Sequence, residues 1–485
     1  MTDALEQERK SNSQWRLRTQ FQGADYHQQL LENEFHSQEQ IAERSSARLK
    51  SVLRHALRAV PYYRQLWREQ GITRADLTGA EVLPQLPVTQ KATLVNHAES
   101  LLATFPLSGQ TAGGKTQTAG TTGQPTIVSH SQDSLAMFAW LKQRELRWFR
   151  VNPQQRLLSI RPSVDFPKLA NGDYLADGKL LKLPAWPYIG ACFQTGPAWA
   201  YNTTNPVTEQ ARILDEVKPG FIVMQASCLE NLSMQKLGAE AVGTLQGANA
   251  ISQTLTPAMR NQVQSALGVP VFQNYGLNEI GLVASQCREG GRYHIHSEHC
   301  YVELLREDGS PAEQGEYGRI VITALTNSIM PLVRYETGDL AEVVAGPCPC
   351  GRNLPGFGEV LGRYRRLAYL PEGSYQRFSD IHLALYEFAE RRRSALHRFQ
   401  VYEYLSGAFE VRVDCDPAMY EELEQLIRSA YFNAWTKNEP PELTILRTDQ
   451  FHGGGLTKFQ IFMSEFFPDA DIGNRKGQQK IEGQE

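Results

Sequence analysis

Two candidate phosphate-binding loops overlap between residues 109 and 125. Residues 109–116 read GQTAGGKT and match the pattern G-x-x-x-x-G-K-[ST]. Residues 116–125 read TQTAGTTGQP, a second loop rich in glycine and threonine. Glycine lets backbone N–H groups approach an anion closely, and hydroxyl or ammonium groups add further donors. Either loop therefore predicts a bound phosphate group.

The first loop lacks the helix that its pattern requires. A loop of this type holds phosphates with the N-terminus of a helix that begins directly after the lysine, here Lys115. The residues that follow, QTAGTTGQPT, contain two glycines and a proline and cannot propagate a helix. We interpret this match as a coincidence and Lys115 as a nearby positive charge.

The second loop offers donors without needing a helix. The hydroxyl groups of its threonines and the backbone at its glycines would contact the phosphates; these residues are Thr118, Gly120, Thr121, Thr122 and Gly123. The alternative is an ordinary flexible turn, and the loop alone does not decide between the two.

Cysteine and histidine residues predict a second site. Cys348 and Cys350 are too close in sequence for an easy disulfide, and the upstream segment CREGGRYHIHSEHC (287–300) supplies further sulfur and imidazole groups. Two thiolates, a third cysteine and one histidine would complete a tetrahedral zinc site, for which we select Cys287, His294, Cys348 and Cys350. Four protein ligands would make the zinc structural. The alternative is that these residues pack independently.

Composition predicts a cytoplasmic protein without a nucleic acid or membrane partner. The chain has 485 residues, with 53 acidic and 49 basic side chains and a net charge of −4. That balance gives no broad attraction to nucleic acid or anionic lipid. The polar start lacks the apolar segment of a secretory signal, and no apolar run approaches the roughly 20 residues that span a bilayer. Seven cysteines favour reduced thiols or metal ligands.

The hydrophobic pattern predicts an α/β fold. Residues 26–70 have helical spacing, and DSLAMFAWLKQRELRWF (133–149) reads as an amphipathic helix. Short β-like runs then alternate with helical ones, and four strand-like pieces follow residue 301, which suggests an antiparallel or barrel-like part. A small α+β domain is predicted from about residue 363 to 467, after an N-terminal domain (1–362), with a disordered tail at 468–485.

Several motifs resemble those of one enzyme family. TAGTTGQPT (118–126), NYGLNE (274–279) and PLVRYETGDL (331–340) are similar to the phosphate loop, the Y-G-x-[ST]-E motif and the P-x-x-R-Y-x-T-G-D-L motif of adenylate-forming enzymes. GR at 362–363 falls at their interdomain hinge, and GGGLTK (453–458) where they keep a mobile lysine. The order and spacing resemble the phenylacetate–coenzyme A ligase branch of this family.

The resemblance implies a two-step reaction. A carboxylic acid attacks the α-phosphate of ATP, with Mg²⁺ bound, to form an acyl-adenylate and pyrophosphate, and a thiol then displaces AMP. The implied fold is a large adenylate-forming domain of mixed sheets and helices, with a small β-barrel-like part, and a small mobile C-terminal domain. Some members of this branch contain a structural zinc. The chain could be a monomer or a homodimer.

The resemblance also implies residue roles. Lys458, Glu279 and Thr121 would be catalytic, with Glu279 binding the magnesium ion and Lys458 approaching the α-phosphate. Tyr275 would stack on adenine, and Asp339 would accept the ribose hydroxyls. The implied nucleotide-binding residues are Thr118, Gly120, Thr121, Thr122, Gly123, Asn274, Tyr275, Gly276, Asp339 and Arg363. Arg334 could instead be a structural ion-pair residue.

The acid and its acceptor remain open at this stage. Aromatic and small residues in 187–193, 223–230 and after Glu279 suit an aryl or arylacetic acid. The hinge reads GRYRRLAYL, with Arg365 where an Asp or Lys is usual, and the R-G-x-N-x-F-P segment is missing. The acceptor could therefore be coenzyme A, an amine or the phosphopantetheine of a carrier protein. A non-catalytic nucleotide-binding protein is a further alternative, although Glu279, Asp339 and Lys458 are all retained.

Overall fold

The computed structural model describes residues 15–16, 24–107, 109–117, 127–253, 255–289, 291–363, 385, 388, 396–433, 440–452 and 462–465. The helices among them are α1 (Ala24–Asn33), α2 (Gln38–Ala59), α3 (Pro61–Glu69), α4 (Lys91–Asn96), α5 (Gln132–Trp148), α6 (Ile189–Cys192), α7 (Val207–Val217), α8 (Ala226–Ser233), α9 (Ala239–Thr244), α10 (Pro257–Leu267) and α11 (Tyr420–Asn433). Short 3₁₀ helices cover Ala80–Gln85, Ser163–Asp165 and Pro417–Met419.

The strands fall into four sheets among these residues. They are β1 (Ala112–Gln117), β2 (Ile127–Ser131), β3 (Leu157–Arg161), β4 (Leu181–Leu183), β5 (Ala198–Asn202), β6 (Phe221–Gln225), β7 (Gly247–Ile251), β8 (Val271–Leu277), β9 (Gly281–Gln286), β10 (Tyr293–Ile295), β11 (Cys300–Leu305), β12 (Tyr317–Ala324), β13 (Tyr335–Glu342), β14 (Gly356–Phe357), β15 (Val360–Arg363), β16 (Leu396–Glu403), β17 (Phe409–Cys415), β18 (Leu443–Arg447) and β19 (Phe462–Ser464).

A nine-stranded mixed sheet forms the centre of the molecule, in the order β14-β10-β9-β8-β7-β6-β3-β5-β4. Strands β3, β5, β6, β7 and β8 are parallel neighbours, so their carboxyl ends meet at one edge. Helices α7, α8 and α10 pack on one face, and α5 packs on the other. This edge of a parallel sheet is the usual place for a ligand site.

The remaining sheets match the sequence pattern. Strands β11, β12, β13 and β15 form an antiparallel sheet where four strand-like pieces were predicted. Strands β18, β17, β16 and β19 form a mixed sheet that packs against α11 around its own apolar cluster. The predicted α/β class is confirmed, whereas the boundary at residue 362 stays a prediction, since residues 364–384 and the tail lie outside the described residues.

Helix α5 is not amphipathic as predicted. From Met137 to Phe149 every side chain is buried except Phe138 and Lys142, which are partly exposed. Its polar residues point into ionic networks: Arg144 and Arg147 contact Glu34, the residue that follows α1. In the sequence, the charged side chains of α5 have the spacing of a solvent-exposed helix face. In the structure they form ion pairs in the interior instead.

Glu34 is the centre of this ionic network. It is fully buried and accepts hydrogen bonds from Trp148 (2.9 Å) and Arg352 (3.0 Å) in addition to its contacts with the two arginines of α5. Burial opposes ionisation, but the three guanidinium groups overcome this effect and keep the pKa of Glu34 below its ordinary value. The network therefore fixes α1 against α5 and against the segment around residue 352.

Candidate active site and metal centre

The motif at residues 274–279 lies at the carboxyl end of β8. Gly276 follows a β-bulge, and a Cβ atom there would come 2.8 Å from the carbonyl oxygen of Gly281. Only glycine fits this close approach. The turn that follows places Glu279 in a buried position, 7% exposed, rather than on the surface.

Two tyrosine–carboxylate hydrogen bonds join this motif to the motif at 331–340. Tyr275 donates to Asp339 Oδ2 at 2.7 Å, and Tyr335 donates to Glu279 Oε1 at 2.9 Å. Both carboxylates predicted to bind the nucleotide and its metal are thus held in place by side chains of the other motif. Phenol groups are neutral donors, so these bonds orient the carboxylates without cancelling their charge.

The hairpin that carries the second phosphate loop contacts the same region. Strands β1 and β2 pair on either side of residues 118–126, and Thr116 donates to the carbonyl oxygen of Asn278 at 2.7 Å. Thr116 also contacts His130 Nε2 at 2.8 Å. Burial lowers the pKa of His130, which favours its neutral form beside Glu279. The loop is therefore anchored next to Glu279 at its base.

Lys115 lies within strand β1 and not at a helix N-terminus. This placement supports our interpretation of the G-x-x-x-x-G-K-T match as a coincidence, since the lysine of such a loop begins a helix. Arg334 is a structural residue: it donates to both carboxylate oxygens of Glu303 at 3.0 Å, and its guanidinium also bonds the carbonyl oxygen of Leu86.

Part of the predicted site falls outside the described residues. The loop residues Thr118, Gly120, Thr121, Thr122 and Gly123 and the glycine-rich segment with Lys458 are among them. The backbone of Arg363 pairs with Asp339 between β15 and β13. The roles of the loop residues, Lys458 and Arg363 therefore remain predictions.

Sequence reasoning missed the polar cluster beside Asn274. Asn274 Nδ2 donates to both oxygens of the buried Glu145, at 3.3 and 3.0 Å, and Ser285 donates to the same carboxylate at 2.8 Å. Lys142 contacts Glu145 and donates to Asn249 Oδ1 at 2.7 Å. The sequence predicts an amphipathic helix here, and that pattern does not distinguish the inward-facing pair of Lys142 and Glu145 from an exposed pair.

Two residues of the segment 187–193, which we expect near the acid, differ in their exposure. Phe193 is fully buried and packs edge-on against Trp15 and Trp140, with ring centroids 5.6 and 5.4 Å apart. Trp15 covers this ring, a contact that the sequence pattern does not indicate. Tyr188 is 57% exposed and contacts Phe138 edge-on, so it remains available to a ligand.

The four residues selected as zinc ligands form one buried cluster. The ligand atoms of Cys287, His294, Cys348 and Cys350 all lie within 4.8 Å of one another. The sulfur atoms of Cys287 and Cys348 are 3.5 Å apart, and Cys350 Sγ is 3.3 Å from His294 Nε2. Tetrahedral zinc requires separations of about 3.8 Å between sulfurs and about 3.5 Å between sulfur and nitrogen. The donor set and its spacing fit a zinc ion.

The surroundings of the cluster orient its ligands. His294 Nδ1 contacts the carbonyl oxygen of Leu354 at 3.1 Å, which leaves Nε2 facing the sulfurs. Burial opposes charge on His294, but bonds with Cys348 and Cys350 outweigh it and raise the pKa of His294 to about 9. A bond from Cys287, together with His294, holds the pKa of Cys350 far below its ordinary value. Without a metal the cluster therefore favours a thiolate paired with a protonated imidazole, and a zinc ion would bind the thiolate and displace the proton from His294.

Comparisons with known proteins place the chain beside one class of ligases. It is 29% identical over 326 residues to the phenylacetate–coenzyme A ligase of Thermus thermophilus, a match covering 65% of this chain and 68% of that protein. It is 28% identical over 315 residues to the corresponding ligase of Escherichia coli, covering 63% and 68%. No protein-family model matches the chain.

Solved structures give the same class of fold. A crystal structure of 2-hydroxyisobutyryl-CoA ligase in the postadenylation state matches with a TM-score of 0.65 and 15% identity, covering 90% of this chain and 92% of that one. The same ligase in the thioesterification state, with 2-HIB-AMP and CoA, matches with a TM-score of 0.56 and 17% identity over the same shares. These findings confirm the predicted resemblance and fold class, and they support the enzyme class, an AMP-forming acid–thiol ligase.

No helix within the described ranges is both long enough and apolar enough to cross a lipid bilayer.

Proposed function

We propose that this protein activates a carboxylic acid with ATP and Mg²⁺, forming an acyl-adenylate and releasing pyrophosphate. The observation that supports this most directly is the pair of tyrosine–carboxylate bonds that assembles Glu279 and Asp339 beside the phosphate-loop hairpin. A buried carboxylate is a suitable hard ligand for magnesium, and Asp339 offers acceptors for two hydroxyl groups of ribose. Its curated relatives carry the name of an acid–coenzyme A ligase.

In this proposal the residues act by positioning and by screening charge. Glu279 would hold the magnesium ion that bridges the phosphates, and the threonines of residues 118–122 would bind the β- and γ-phosphates. Tyr275 would present its ring to adenine while its hydroxyl keeps Asp339 in place. Lys458 would place its ammonium group against the α-phosphate, where negative charge develops as the carboxylate attacks.

The second step would transfer the acyl group to coenzyme A. The names of the curated relatives and the complex of the related ligase with CoA support this acceptor. The amine and carrier-protein alternatives gain no support from these relatives. Because Arg365 replaces the usual hinge residue and the R-G-x-N-x-F-P segment is missing, the acceptor is tested separately from the activation step.

We also propose that the cluster of Cys287, His294, Cys348 and Cys350 binds one structural zinc ion. The four donors would fill a tetrahedral site and leave no position for substrate, so the metal would support the fold without entering the reaction.

The test is acid-dependent ATP–[³²P]pyrophosphate exchange without an acceptor, over aryl, arylacetic and short aliphatic acids. We expect exchange that depends on acid and falls at least about a hundredfold in Lys458→Ala. Lys115→Ala is the matched control and should retain exchange. Absence of exchange with every acid would contradict the proposal, and ATP hydrolysis to ADP that depends on Lys115 would favour the first loop. Coenzyme A, amines and carrier proteins are then compared as acceptors.

A further inference from the structure

The nine-stranded sheet has an open patch on the face that α5 covers. Paired residues in adjacent parallel strands share a face, so the register places Val223, Asn249 and Phe272 on the same side. Two residues further along, Ile251 and Asn274 lie on that side as well. Val223, Ile251 and Asn274 are partly exposed although their strands lie in the middle of the sheet. Because these side chains lie beneath α5 and are still partly exposed, there is a cleft between this helix and the sheet.

Helix α5 presents the opposite wall of this cleft. Phe138 and Lys142 are its two partly exposed residues between 137 and 149, and their four-residue spacing puts them on one face. The contact between Lys142 and Asn249 shows that this face meets the sheet at the cleft. Tyr188, edge-on to Phe138, lies at the rim, and its φ of +62° is unusual for a side chain of this size.

The cleft has an apolar body and a polar end. Phe138, Val223 and Ile251 supply the apolar part, while Lys142, Asn274 and the buried Glu145 supply the polar part. Leu135, three residues before Phe138 on the same face, lies against β1, because a Cβ atom on Gly114 would contact it at 3.6 Å. The helix face therefore runs from the phosphate-loop hairpin to the polar end, about 10 Å between residues 135 and 142. That length suits an acid with one ring and a short linker.

The hydrogen-bonding pattern specifies what fits at the polar end. A carboxylate only accepts hydrogen bonds, so the amide nitrogen of Asn274 must face Glu145 and its amide oxygen must face away from Glu145. Lys142 donates to Glu145 and Asn249, and an ammonium group has a third N–H. Asn274 thus has an acceptor and Lys142 a donor that can bind a ligand, and both side chains contact Glu145. A hydroxyl group complements both, because it donates once and accepts as well.

The charges of the cleft disfavour ionised substituents on the acid. Lys142 and Glu145 neutralise each other, so a second carboxylate or an ammonium group on the acid would lie in the cleft without a counter-charge. We infer that the cleft between α5 and strands β6, β7 and β8 binds an aromatic carboxylic acid whose ring carries a hydroxyl group, recognised by Lys142 and Asn274. This inference rests on the proposed acid activation and narrows its substrate to hydroxylated aryl or arylacetic acids.

Calorimetric titration of acids tests the inference without requiring turnover. Phenylacetic acid is compared with its 3- and 4-hydroxy derivatives in the presence of Mg²⁺ and α,β-methylene-ATP, in which the bond to be broken is blocked. We expect at least one hydroxylated acid to bind about tenfold to a hundredfold more tightly, because an unsubstituted ring would leave the donor and the acceptor unpaired. Equal affinities, tighter binding of phenylacetic acid, or binding of none of these acids would overturn the inference.

A variant pair identifies the residues responsible. Lys142→Met combined with Glu145→Gln removes both charges together and avoids a lone buried carboxylate. It should reduce the preference for the hydroxylated acid to less than about threefold. Lys236→Met, an exposed lysine on another surface, is the control and should keep the preference. A preference that persists in the double variant would contradict the assignment. If the double variant does not fold, the affinities of the wild-type protein for the hydroxylated and unsubstituted acids still test the inference.

The exchange assay separates this inference from the proposed function. Exchange without any preference for a hydroxylated acid would defeat the inference and leave acid activation in place. Tight, hydroxyl-dependent binding with no exchange would defeat the activation proposal and leave the cleft in place.

Discussion

The Cys/His cluster and the Glu279–Asp339 centre are alike in burial and in chain separation but differ in their partners. Bonds in the cluster join residues 61 and 56 positions apart, and the tyrosine–carboxylate bonds join residues 64 and 56 apart. In the cluster the four donors face one another. In the second centre each carboxylate accepts a hydrogen bond from a neutral hydroxyl. The type of partner, and not the depth of burial, therefore distinguishes the two centres, for which we propose a structural role and a binding role.

Among the variants that test the difference between the two centres, Cys350→Ser should have the largest effect. Loss of one thiolate should release the zinc and lower the free energy of unfolding by about 4 kcal/mol. Metal analysis and urea titration measure the two effects, while the KM for ATP should not change. Cys300→Ser is the control, since Cys300 lies in the same segment but outside the cluster. If the wild-type protein contained no zinc, or if both variants lost the metal equally, the difference between the two centres would not hold.

Glu279→Gln should produce the opposite pattern. The amide keeps an acceptor for Tyr335 but removes the charge that would bind magnesium, so pyrophosphate exchange should fall about a hundredfold, or about 2.7 kcal/mol. The free energy of unfolding should change by less than about 1 kcal/mol, as followed by urea titration. Glu240→Gln, at an exposed position, should leave both unchanged. A stability loss as large as that of Cys350→Ser would make Glu279 a structural residue.

His299 adds a pH dependence next to the second centre. Burial lowers the pKa of His299 to about 4, against about 6.5 when unfolded, and the ring contacts the carbonyl oxygen of Ile280 at 2.8 Å. The unfolded chain binds the proton first, so stability falls as the pH drops from above 6.5 towards 4. His299 should account for about 1.4 kcal/mol of the loss by pH 5.5.

Urea titrations at pH 7.5 and pH 5.5 check this value. The stability difference between the two pH values should be smaller in His299→Gln by that amount. His97→Gln, at an exposed position, is the control. An unchanged difference in His299→Gln would show that the ring is protonated in the folded protein.

The smallest effect is expected from Tyr275→Phe. The ring that would contact adenine is kept, but Asp339 loses the 2.7 Å hydrogen bond that orients it. The KM for ATP should rise about fivefold, equivalent to about 1 kcal/mol, with little change in kcat. Steady-state kinetics at varied ATP measure both constants. An unchanged KM for ATP would mean that the hydroxyl does not position Asp339 for the nucleotide.

The sequence predicted the cluster more completely than the acid site. Cys287, His294, Cys348 and Cys350 are recognisable because few side chains bind zinc and their grouping is distinctive. The apolar periodicity also indicated most helices and strands. Lys142 and Glu145 were not recognisable, because a charged pair on a buried helix has the same spacing as one on an exposed helix. Only the packing of α5 against the sheet separates the two cases.

The partners of the buried Glu34 carboxylate affect when this residue can reach its folded position during synthesis. Its partner Arg352 lies 318 residues later in the chain. At about 5–20 residues per second, a ribosome needs roughly 15 to 60 s to make that stretch. During this interval Glu34 lacks at least one of the three guanidinium groups that stabilise it in the interior. Glu34 therefore reaches its final environment only after the segment that follows Cys350 has emerged.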